Sequence, residues 1–394
     1  MCFGSLVFMK VCVVTTSFPH YKGHHFGTFI WKMCEALARQ NVTVRVVCPA
    51  VSEKTDDTSF APVSLYRFTY FFTKYLLLSG GAGFLPSLRS SFLSLFLLPL
   101  YILSFFFTTF YVSRGADVLH AQWSLAGFIS VCVGKLRRIP VIVTLRGSDI
   151  HSVRQSHILR AFFCWMIRSS TVVTSNNQAM LDFVDHPEIH LVMNGVDSSF
   201  HPVKDKRAVR KKLGLPFNKH IVLFVGRLSS VKNPLLFLSL VSHYSQIYDD
   251  ALFVVVGDGP LRNQLHHSSL LFVGTVPVDL MPLYFQSADV CVLTSYAEGM
   301  PNVVLEAFAS GVPVLSTSVG GVPTILSQGV EGFLCADSQE FFSSLDRLLH
   351  DSRLRHTMAH HALKRAQKLG LTWESCAKNY ITLYQKAIKM QRKK

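Results

Sequence analysis

The chain has 394 residues, of which 49% are hydrophobic and 16% are charged, with 39 Lys and Arg against 24 Asp and Glu. This length predicts two or more packed domains, since a domain takes about 150 residues, and the apolar content excludes a disordered or fibrous protein. The net charge of +15 favours an anionic partner: nucleic acid, an acidic membrane surface or a phosphorylated ligand.

The nine cysteines are scattered, include no Cys-x-x-Cys pair and are odd in number. This pattern argues against a disulfide framework or a structural zinc site and favours a reducing cytoplasm. The first residues lack the charged start and the long apolar run of a secretory signal, so we expect no export.

The first half of the chain predicts a parallel sheet wound with helices. An apolar strand pattern at 11–14 precedes a loop at 17–27 and a segment at 29–39 whose apolar residues share one helical face. Further strand patterns at 42–48, 118–120 and 141–145 alternate with helix-compatible segments. We therefore predict a Rossmann-like domain over residues 1–200.

The same alternation restarts in the second half and predicts a second Rossmann-like domain over residues 201–372. Its strand patterns lie at 221–225, 252–256, 271–273, 290–294 and 312–315. The fold class is thus α/β, with two facing domains built on parallel sheets. Because open parallel sheets bind ligands beyond the carboxyl ends of their strands, we expect the active site in an interdomain cleft.

One segment departs from this alternation. Residues 91–113 contain no charged side chain, and as a helix they would extend about 34 Å, enough to cross a bilayer core. A single crossing would separate the strands at 11–14 and 141–145, which belong to one sheet. Two interpretations remain: a monotopic segment at 84–113 that lies in one leaflet together with 68–78, or a helix buried in a soluble core.

The strongest chemical signal is the pair Glu298 and Glu306, just after the strand predicted at 290–294. Pro301 suits the first turn of a helix, whose N-terminus attracts phosphate or sugar oxygens. Carboxylates on either side of this helix start can accept hydrogen bonds from vicinal hydroxyls. The residues expected at the helix start are Met300, Pro301, Asn302 and Val303. An isolated pair of this kind is more often a helix-start glutamate and a solvated one.

A second cluster follows the strand predicted at 221–225. Gly226 lets the backbone approach a ligand, while Arg227 offers a fork of donors and Lys232 a point charge for a diphosphate. Two cations suit the cleavage of a sugar–diphosphate bond, because negative charge builds up on the departing phosphate. The alternative is that these cations merely solvate a loop.

Together with glycine turns at 257–260 and 320–323, these motifs resemble the GT-B glycosyltransferases of family 4, from Lys10 to about Gln385. The resemblance implies a retaining transferase that needs no metal or other cofactor and moves a sugar from a nucleotide-diphosphate sugar to an acceptor hydroxyl. It implies that Glu298 contacts the donor sugar and Glu306 the ribose, while Arg227 and Lys232 hold the diphosphate. It also implies a C-terminal helix, within 373–394, that crosses back onto the first domain.

The first domain contributes further candidates through the same resemblance. The loop at 19–27 is similar to the family's glycine-containing loop beneath the donor diphosphate, with Gly27 permitting close approach and His25 nearby. Many relatives carry a histidine for donor-sugar contact where this chain has Arg146, a difference compatible with an acidic or unusual sugar. Asp149 matches the family pattern and is predicted, with Glu298, to be catalytic; a helix N-cap is the alternative.

The predicted partners are therefore a nucleotide-diphosphate sugar, a lipid-linked or cell-envelope glycan acceptor and an anionic membrane surface, and not nucleic acid. Such a protein would be cytoplasmic and peripheral on the inner face of the cell membrane. The basic patch at 204–212 and the basic tail at 386–394 either meet anionic lipid or serve solubility.

A GT-B nucleotide-sugar epimerase and a non-catalytic nucleotide-sugar-binding module remain as alternatives. An NAD-dependent oxidoreductase is disfavoured, because residues 15–19 lack the glycine-rich turn that should follow the first strand.

Overall fold

The computed structural model describes residues 9–24, 26–72, 92–147 and 157–393. They divide into two compact units, one comprising the chain up to Gly195 together with Trp373–Lys394, the other comprising Val196–Thr372. The chain therefore leaves the first unit between Gly195 and Val196 and returns to it at Trp373, where the C-terminal helix begins.

The first unit is built on a seven-stranded parallel sheet in the order β3-β2-β1-β4-β5-β6-β7. Its strands are β1 (Lys10–Val14), β2 (Thr43–Pro49), β3 (Ser64–Phe68), β4 (Val118–Gln122), β5 (Val141–Leu145), β6 (Val172–Ser175) and β7 (Ile189–Leu191). From β1 the chain first builds outward to β3 and then, from β4, outward to β7. The direction of winding therefore reverses between β1 and β4, which is where open sheets of this kind bind ligands.

Helices cover both faces of this sheet. They are α1 (Thr28–Arg39), α2 (Phe92–Val112), α3 (Ser124–Arg137), α4 (His157–Ser169), α5 (Gln178–Leu181) and α13 (Trp373–Arg392). Helices α2, α3 and α4 supply one hydrophobic core, which includes Phe105, Ile129 and Met166. Helices α1 and α13 supply the other, which includes Leu37 and Tyr380.

Helix α2 occupies most of the segment in which the sequence is apolar on every face. In the structure its faces differ: Tyr101 and Phe105 are buried and pack against Phe68, while Phe107 and Tyr111 are exposed. No helix in the described part of the chain is long and apolar enough to cross a membrane. Residues 84–91 of the predicted monotopic segment lie outside the described residues.

The second unit is built on a six-stranded parallel sheet in the order β10-β9-β8-β11-β12-β13. Its strands are β8 (His220–Val225), β9 (Ala251–Val256), β10 (Leu270–Gly274), β11 (Val290–Leu293), β12 (Val314–Thr317) and β13 (Gly332–Cys335). The helices are α6 (Lys206–Leu213), α7 (Pro234–Ser245), α8 (Met281–Ser287), α9 (Asn302–Ala309), α10 (Val322–Ile325), α11 (Ser338–His350) and α12 (Ser352–Lys368). The winding reverses between β8 and β11.

The strand predicted at 312–315 begins two residues later than expected. The amide of Val312 bonds to the carbonyl of Ala307 and so still belongs to the turn that ends α9. Pro313 has no N–H to donate. The strand therefore begins at Val314, whose amide bonds to the carbonyl of Glu331.

Two residues of the basic patch at 204–212 bind other parts of the second unit. Arg210 is buried and donates to the carbonyl of Ser287 and to the carboxylate of Asp289 at 2.6 Å. Lys206 donates to the carbonyl of Ala288. These two cations hold α6 against the segment that links α8 to β11, so they are engaged within the protein.

Candidate active site

The strand-end motifs of the second unit meet where the winding of its sheet reverses. The loop after β8 carries Gly226, Arg227 and Lys232, and the loop after β11 carries Glu298. Because β8 and β11 are hydrogen-bonded neighbours, their carboxyl ends bring these two loops side by side. The site therefore lies where parallel open sheets generally bind ligands.

Lys232 and Glu298 form a direct ion pair. The lysine Nζ donates to Oε1 of the carboxylate at 2.5 Å, and Ser295 Oγ donates to the same oxygen at 2.6 Å. Both charged side chains are partly shielded from water, which strengthens the pairing. Thr294 Oγ1 fixes the lysine loop by donating to the carbonyls of Lys232 and Asn233. The carboxylate is thus held in one orientation by charge and by a hydroxyl.

Glu298 also depends on a glycine from the next strand end. At Gly320, φ is +55°, and a Cβ there would lie 1.9 Å from the carbonyl oxygen of Glu298. The neighbouring Gly321 amide donates to the carbonyl of Gly299 at 2.7 Å. The backbone at 320–321 therefore packs directly against the Glu298 loop, and only glycine leaves the necessary room.

Arg227 is exposed at the same strand end, and no hydrogen bond or ion pair engages its side chain within the described residues. A Cβ at Gly226 would come no closer than 3.7 Å to the Lys232 side chain, so the protein itself leaves room beside the lysine at this position. The structure therefore places one paired cation, Lys232, and one exposed cation, Arg227, in the six residues that follow Gly226.

Helix α9 begins at the same edge. Pro301 stands immediately before the helix, Asn302 and Val303 open its first turn, and the side chain of Met300 is buried. The N-terminal end of a helix carries partial positive charge and amide donors, which suits phosphate or sugar oxygens.

Glu306 lies one turn inside α9 and is half-buried. Burial raises the pKa of its carboxyl group to about 7. Within the described part of the chain, this carboxyl group has no hydrogen-bond or ion-pair partner. It is therefore a desolvated acceptor that a ligand hydroxyl could satisfy.

In the first unit, Gly27 ends the loop after β1 and caps α1. Its φ is +73°, and a Cβ would lie 3.0 Å from Ser17 Oγ and 3.1 Å from Phe18 Cα. Position 27 therefore requires glycine, both for its left-handed backbone conformation and because a Cβ would not fit. Phe29, two residues on, lies beneath the guanidinium of Arg146, with the Arg146 Cζ 5.0 Å from the ring centroid.

Arg146 follows β5 and is held by two neutral side chains. Its Nε donates to Gln122 Oε1 at 2.9 Å, and Nη1 donates to Asn194 Oδ1 at 2.6 Å. Gln122 is the last residue of β4, the strand that pairs with both β1 and β5. The structure therefore brings Arg146 close to the first turn of α1, which follows Gly27.

A buried polar chain connects Arg146 to the C-terminal helix. A guanidinium has donors and no acceptor, so the Gln122 atom that faces Arg146 is the amide oxygen Oε1. The Gln122 amide nitrogen therefore faces His120 Nε2, 2.9 Å away, and donates to it. The His120 proton then sits on Nδ1 and is donated to Tyr384 Oη, 2.7 Å away in α13. Burial, aided by the Arg146 charge, lowers the pKa of His120 to about 3, so this imidazole stays neutral.

Two predicted site residues, His25 and Asp149, lie outside the described residues. Their assignments as donor-binding and catalytic residues therefore stay predictions.

His20, His24 and Glu53 place metal-ligand atoms within 4.8 Å of one another. His20 Nδ1 pairs with Glu53 Oε2 at 2.9 Å. The two imidazole rings are stacked, however, with centroids 4.1 Å apart and planes 13° apart. A nitrogen lone pair lies in its ring plane, so nearly parallel stacked rings do not both point at one ion. The cluster as it stands is a histidine–carboxylate pair with a stacked neighbour.

Sequence reasoning missed the residues that hold the site residues in place. These are Thr294 and Ser295 in the second unit, and Gln122 and Asn194 in the first. Three of them could have been predicted from their position, because Gln122, Thr294 and Ser295 are small or polar residues at the carboxyl ends of strands. Asn194 gave no comparable signal, since it precedes no predicted element.

Two family models match the chain. Residues 26–200 match the model described as Glycosyltransferase Family 4, and residues 205–365 match the model described as Glycosyl transferases group 1. The two matches together leave only the termini and a short connecting stretch uncovered.

Among known proteins, the chain is 32% identical over 226 residues to the putative teichuronic acid biosynthesis glycosyltransferase TuaC of Bacillus subtilis. That match spans 54% of this chain and only about half, 56%, of TuaC. This chain is also 28% identical over 264 residues to the UDP-Gal:alpha-D-GlcNAc-diphosphoundecaprenol alpha-1,3-galactosyltransferase of Escherichia coli. That match covers 60% of this chain and 67% of the Escherichia coli protein. Among solved structures, the sucrose-phosphate synthase of Thermosynechococcus elongatus shares the fold, with a TM-score of 0.78, 19% identity, and coverage of 97% of this chain and 100% of that one.

Proposed function

The chain belongs to the GT-B glycosyltransferases of the family 4 type, and on that premise we propose that it is a retaining enzyme. It transfers a sugar from a nucleotide-diphosphate sugar to the hydroxyl of a lipid-linked or cell-envelope glycan. The observation that carries this proposal is the Lys232–Glu298 ion pair at the point where the winding of the second sheet reverses.

The donor diphosphate is assigned to the cations and the helix start at this strand end. Lys232 and the exposed Arg227 neutralise the negative charge that develops on the departing diphosphate. The N-terminus of α9 adds amide donors and the positive end of its dipole. Each donor aimed at a developing charge is typically worth about 10² to 10³ in rate.

The two glutamates are assigned to hydroxyl groups. Glu298, fixed by Lys232 and Ser295, orients the donor sugar, and Glu306 accepts hydrogen bonds from the ribose. The acceptor oxygen bonds to the anomeric carbon on the face that the diphosphate leaves. The carbon–oxygen bond to the diphosphate breaks with its electron pair, and the acceptor proton passes to the departing phosphate oxygen. The proposed reaction uses no metal or other cofactor.

The acceptor class follows from the relatives' names. TuaC is named for teichuronic acid biosynthesis, and the Escherichia coli enzyme for a diphosphoundecaprenol-linked acceptor and a UDP-sugar donor. We place the enzyme in the cytoplasm, peripheral on the inner face of the cell membrane, because a lipid-linked acceptor is presented there together with nucleotide sugars.

The proposal is tested by incubating the purified full chain with UDP-, GDP- and ADP-sugars, with and without a membrane lipid extract. We expect one donor class to be consumed, with its sugar recovered on a lipid in the same anomeric configuration. Free sugar released without an acceptor product would indicate an epimerase, and nucleotide-sugar binding without consumption would indicate a binding module. Either outcome would overturn the transferase proposal.

The matched control for this assay is provided by another lysine beside β8. Lys219 pairs with Asp249 at 2.6 Å, just before the strand begins, whereas Lys232 lies beyond its carboxyl end. Lys232→Ala should slow donor consumption by at least about 10², and Lys219→Ala should leave it unchanged.

A further inference from the structure

Helices α2, α3 and α4 present an apolar outer surface on the first unit. On α2, Leu103, Phe107 and Tyr111 are 52%, 62% and 75% exposed. The spacing of four residues places them in one stripe along the helix. The opposite side of α2 is buried against the sheet, so this stripe is the helix's outward face.

Helix α4 continues the apolar surface. Its residues Ile158, Phe162 and Trp165 are 69%, 52% and 39% exposed and follow the same helical spacing. Phe128 of α3 extends the stripe on α4, because its ring lies 5.5 Å from that of Phe162 and 5.3 Å from that of Trp165. Helix α3 packs against both α2 and α4. Exposed apolar side chains on adjoining helices form a patch rather than isolated residues, and such patches mark interaction sites.

The charges on this patch have one sign. The three helices contain no Asp or Glu and carry the cations Lys135, Arg137, Arg160 and Arg168. At the C-terminal end of α3, Lys135 Nζ lies 4.5 Å from the centre of the Trp165 ring, and Arg137 Cζ lies 3.8 Å from that of Phe110.

Aromatic side chains interleaved with Lys and Arg are typical of surfaces that lie in the headgroup region of a membrane. The aliphatic stems of Lys and Arg cover apolar surface, while their charged ends reach phosphate groups. A second copy of the chain is disfavoured as the occupant, because a two-fold contact would set this cationic patch against itself.

We propose that the surface formed by α2, α3 and α4, here called the lipid face, docks onto a bilayer that contains anionic lipids. Leu103, Phe107, Tyr111, Ile158 and Phe162 enter the boundary between headgroups and acyl chains, and the surrounding cations contact lipid phosphates. This deepens the membrane location given under the proposed function by naming the surface that provides it. Vesicle binding needs neither donor nor acceptor, so its failure is distinguishable from a failure of sugar transfer.

The experiment measures co-sedimentation of the full chain with vesicles of phosphatidylglycerol and phosphatidylethanolamine at a ratio of 3:7, against vesicles of phosphatidylcholine alone. We expect binding to the anionic vesicles to be at least tenfold tighter and to weaken when salt is raised from 0.1 M to 0.5 M, because exposed charges are screened. Equal binding to both vesicle types, or no binding to either, would overturn the proposal.

Matched variants locate the surface. The double variant Phe107→Ser, Phe162→Ser should bind anionic vesicles at least tenfold more weakly, because two large side chains no longer leave water. Phe217 and Ile247 of the second unit are similarly exposed, at 53% and 56%, so their double change to Ser is the control and should bind like the unaltered chain. Circular dichroism confirms that each variant is folded.

The cations are tested separately with Lys135→Gln and Arg137→Gln, each of which should weaken anionic binding about fivefold. Light scattering distinguishes docking onto a bilayer from contact with a second copy of the chain. A dimer that the Phe107, Phe162 double variant converts to monomer would show that a second copy covers this face, and would overturn the proposal.

Discussion

The Nζ of Lys232 lies 2.5 Å from Oε1 of Glu298, although 66 residues separate them in the chain. The contact exists because β8 and β11 are neighbours in the sheet and their following loops turn to the same edge. A cation assigned to the diphosphate and a carboxylate assigned to the sugar are thus parts of one electrostatic unit.

The ion pair predicts non-additive losses of activity. Lys232→Ala and Glu298→Gln should each lower kcat by at least about 10², since each removes a donor or a fixed acceptor from the site. Because each side chain also orients the other, the double variant should lose far less than the product of the two single losses. The measurement is kcat for the four proteins of the cycle. Losses that multiply fully would show that the two residues act independently.

Glu306 predicts a pH-dependent donor KM. Its pKa of about 7 means that the carboxylate, the stronger acceptor for ribose hydroxyls, forms between pH 6 and pH 8. The donor KM should therefore fall up to about tenfold over that range, following the ionised fraction. In Glu306→Gln, steady-state kinetics should give a higher KM with this pH dependence removed. A wild-type KM that stays constant from pH 6 to pH 8 would contradict the assignment.

Ionisation of Glu306 should strengthen donor binding but lower the stability of the fold. The folded pKa of about 7 exceeds the ordinary value of 4.5, so between these values the native state binds more protons than the unfolded state. The free energy of unfolding should therefore fall as pH rises from 4.5 to 7. Glu306→Gln should be the more stable protein at pH 8, by up to about 3 kcal/mol, as urea unfolding would show. Equal stability of the two proteins at pH 8 would mean that Glu306 is not desolvated.

Gly320 predicts a steric effect that a second glycine isolates. Gly320 and Gly329 have similar backbone conformations, with φ of +55° and +74°, but a Cβ at Gly329 meets nothing within 4 Å. Gly329→Ala should cost about 1 kcal/mol for its left-handed conformation, and Gly320→Ala roughly 3 kcal/mol or more, because it also displaces the Glu298 carbonyl. Urea unfolding and kcat together check this. The account fails here if the two variants are equally stable and equally active.

Gln122 predicts a positioning role. Gln122→Leu removes the acceptor for Arg146 Nε and the donor to His120, at nearly constant side-chain size. If Arg146 contacts the donor, the donor KM should rise about tenfold, and adding Gln122→Leu to Arg146→Ala should raise it no further. Gln40, whose amide bonds to the carbonyl of Glu374 at the surface, supplies the control Gln40→Leu. A KM effect of Gln122→Leu that persists in the Arg146→Ala background would contradict positioning through Arg146.

Much of the fold was predictable because buried parallel strands are short, continuous apolar runs. The strand at 141–145 has the predicted bounds, and the one at 221–225 differs by a single residue, His220. The strands β3, β6, β7 and β13 were not predicted. β3 and β7 are largely half-buried or exposed, β6 is a four-residue strand with two polar residues, and β13 begins with a glycine. Such strands are defined by their neighbours rather than by their own composition.

The behaviour of α2 could not be read from the sequence for a related reason. Its residues are apolar on every face, so periodicity does not indicate which side packs. The sheet decides this, by burying Tyr101 and Phe105 and leaving Phe107 and Tyr111 outside. The helix thus has a buried face and an exposed apolar one, and the location of this segment in a leaflet stays a prediction.

The candidate site was predictable residue by residue but not as a set of contacts. Spacing in the sequence identified Lys232 and Glu298, yet their pairing depends on which strands are adjacent. Likewise, nothing near Arg146 in the sequence indicates that Gln122 and Asn194 hold it, since these contacts span 24 and 48 residues.

The central claim is that the loop after β8 binds the diphosphate of the donor, and nucleotide affinity tests it most directly. Fluorescence titration with UDP, GDP and ADP should find one that binds the unaltered chain and Lys219→Ala equally. The same nucleotide should bind the double variant Arg227→Ala, Lys232→Ala at least tenfold more weakly, because two cations facing the phosphates are gone. Unchanged affinity in that double variant would contradict the account.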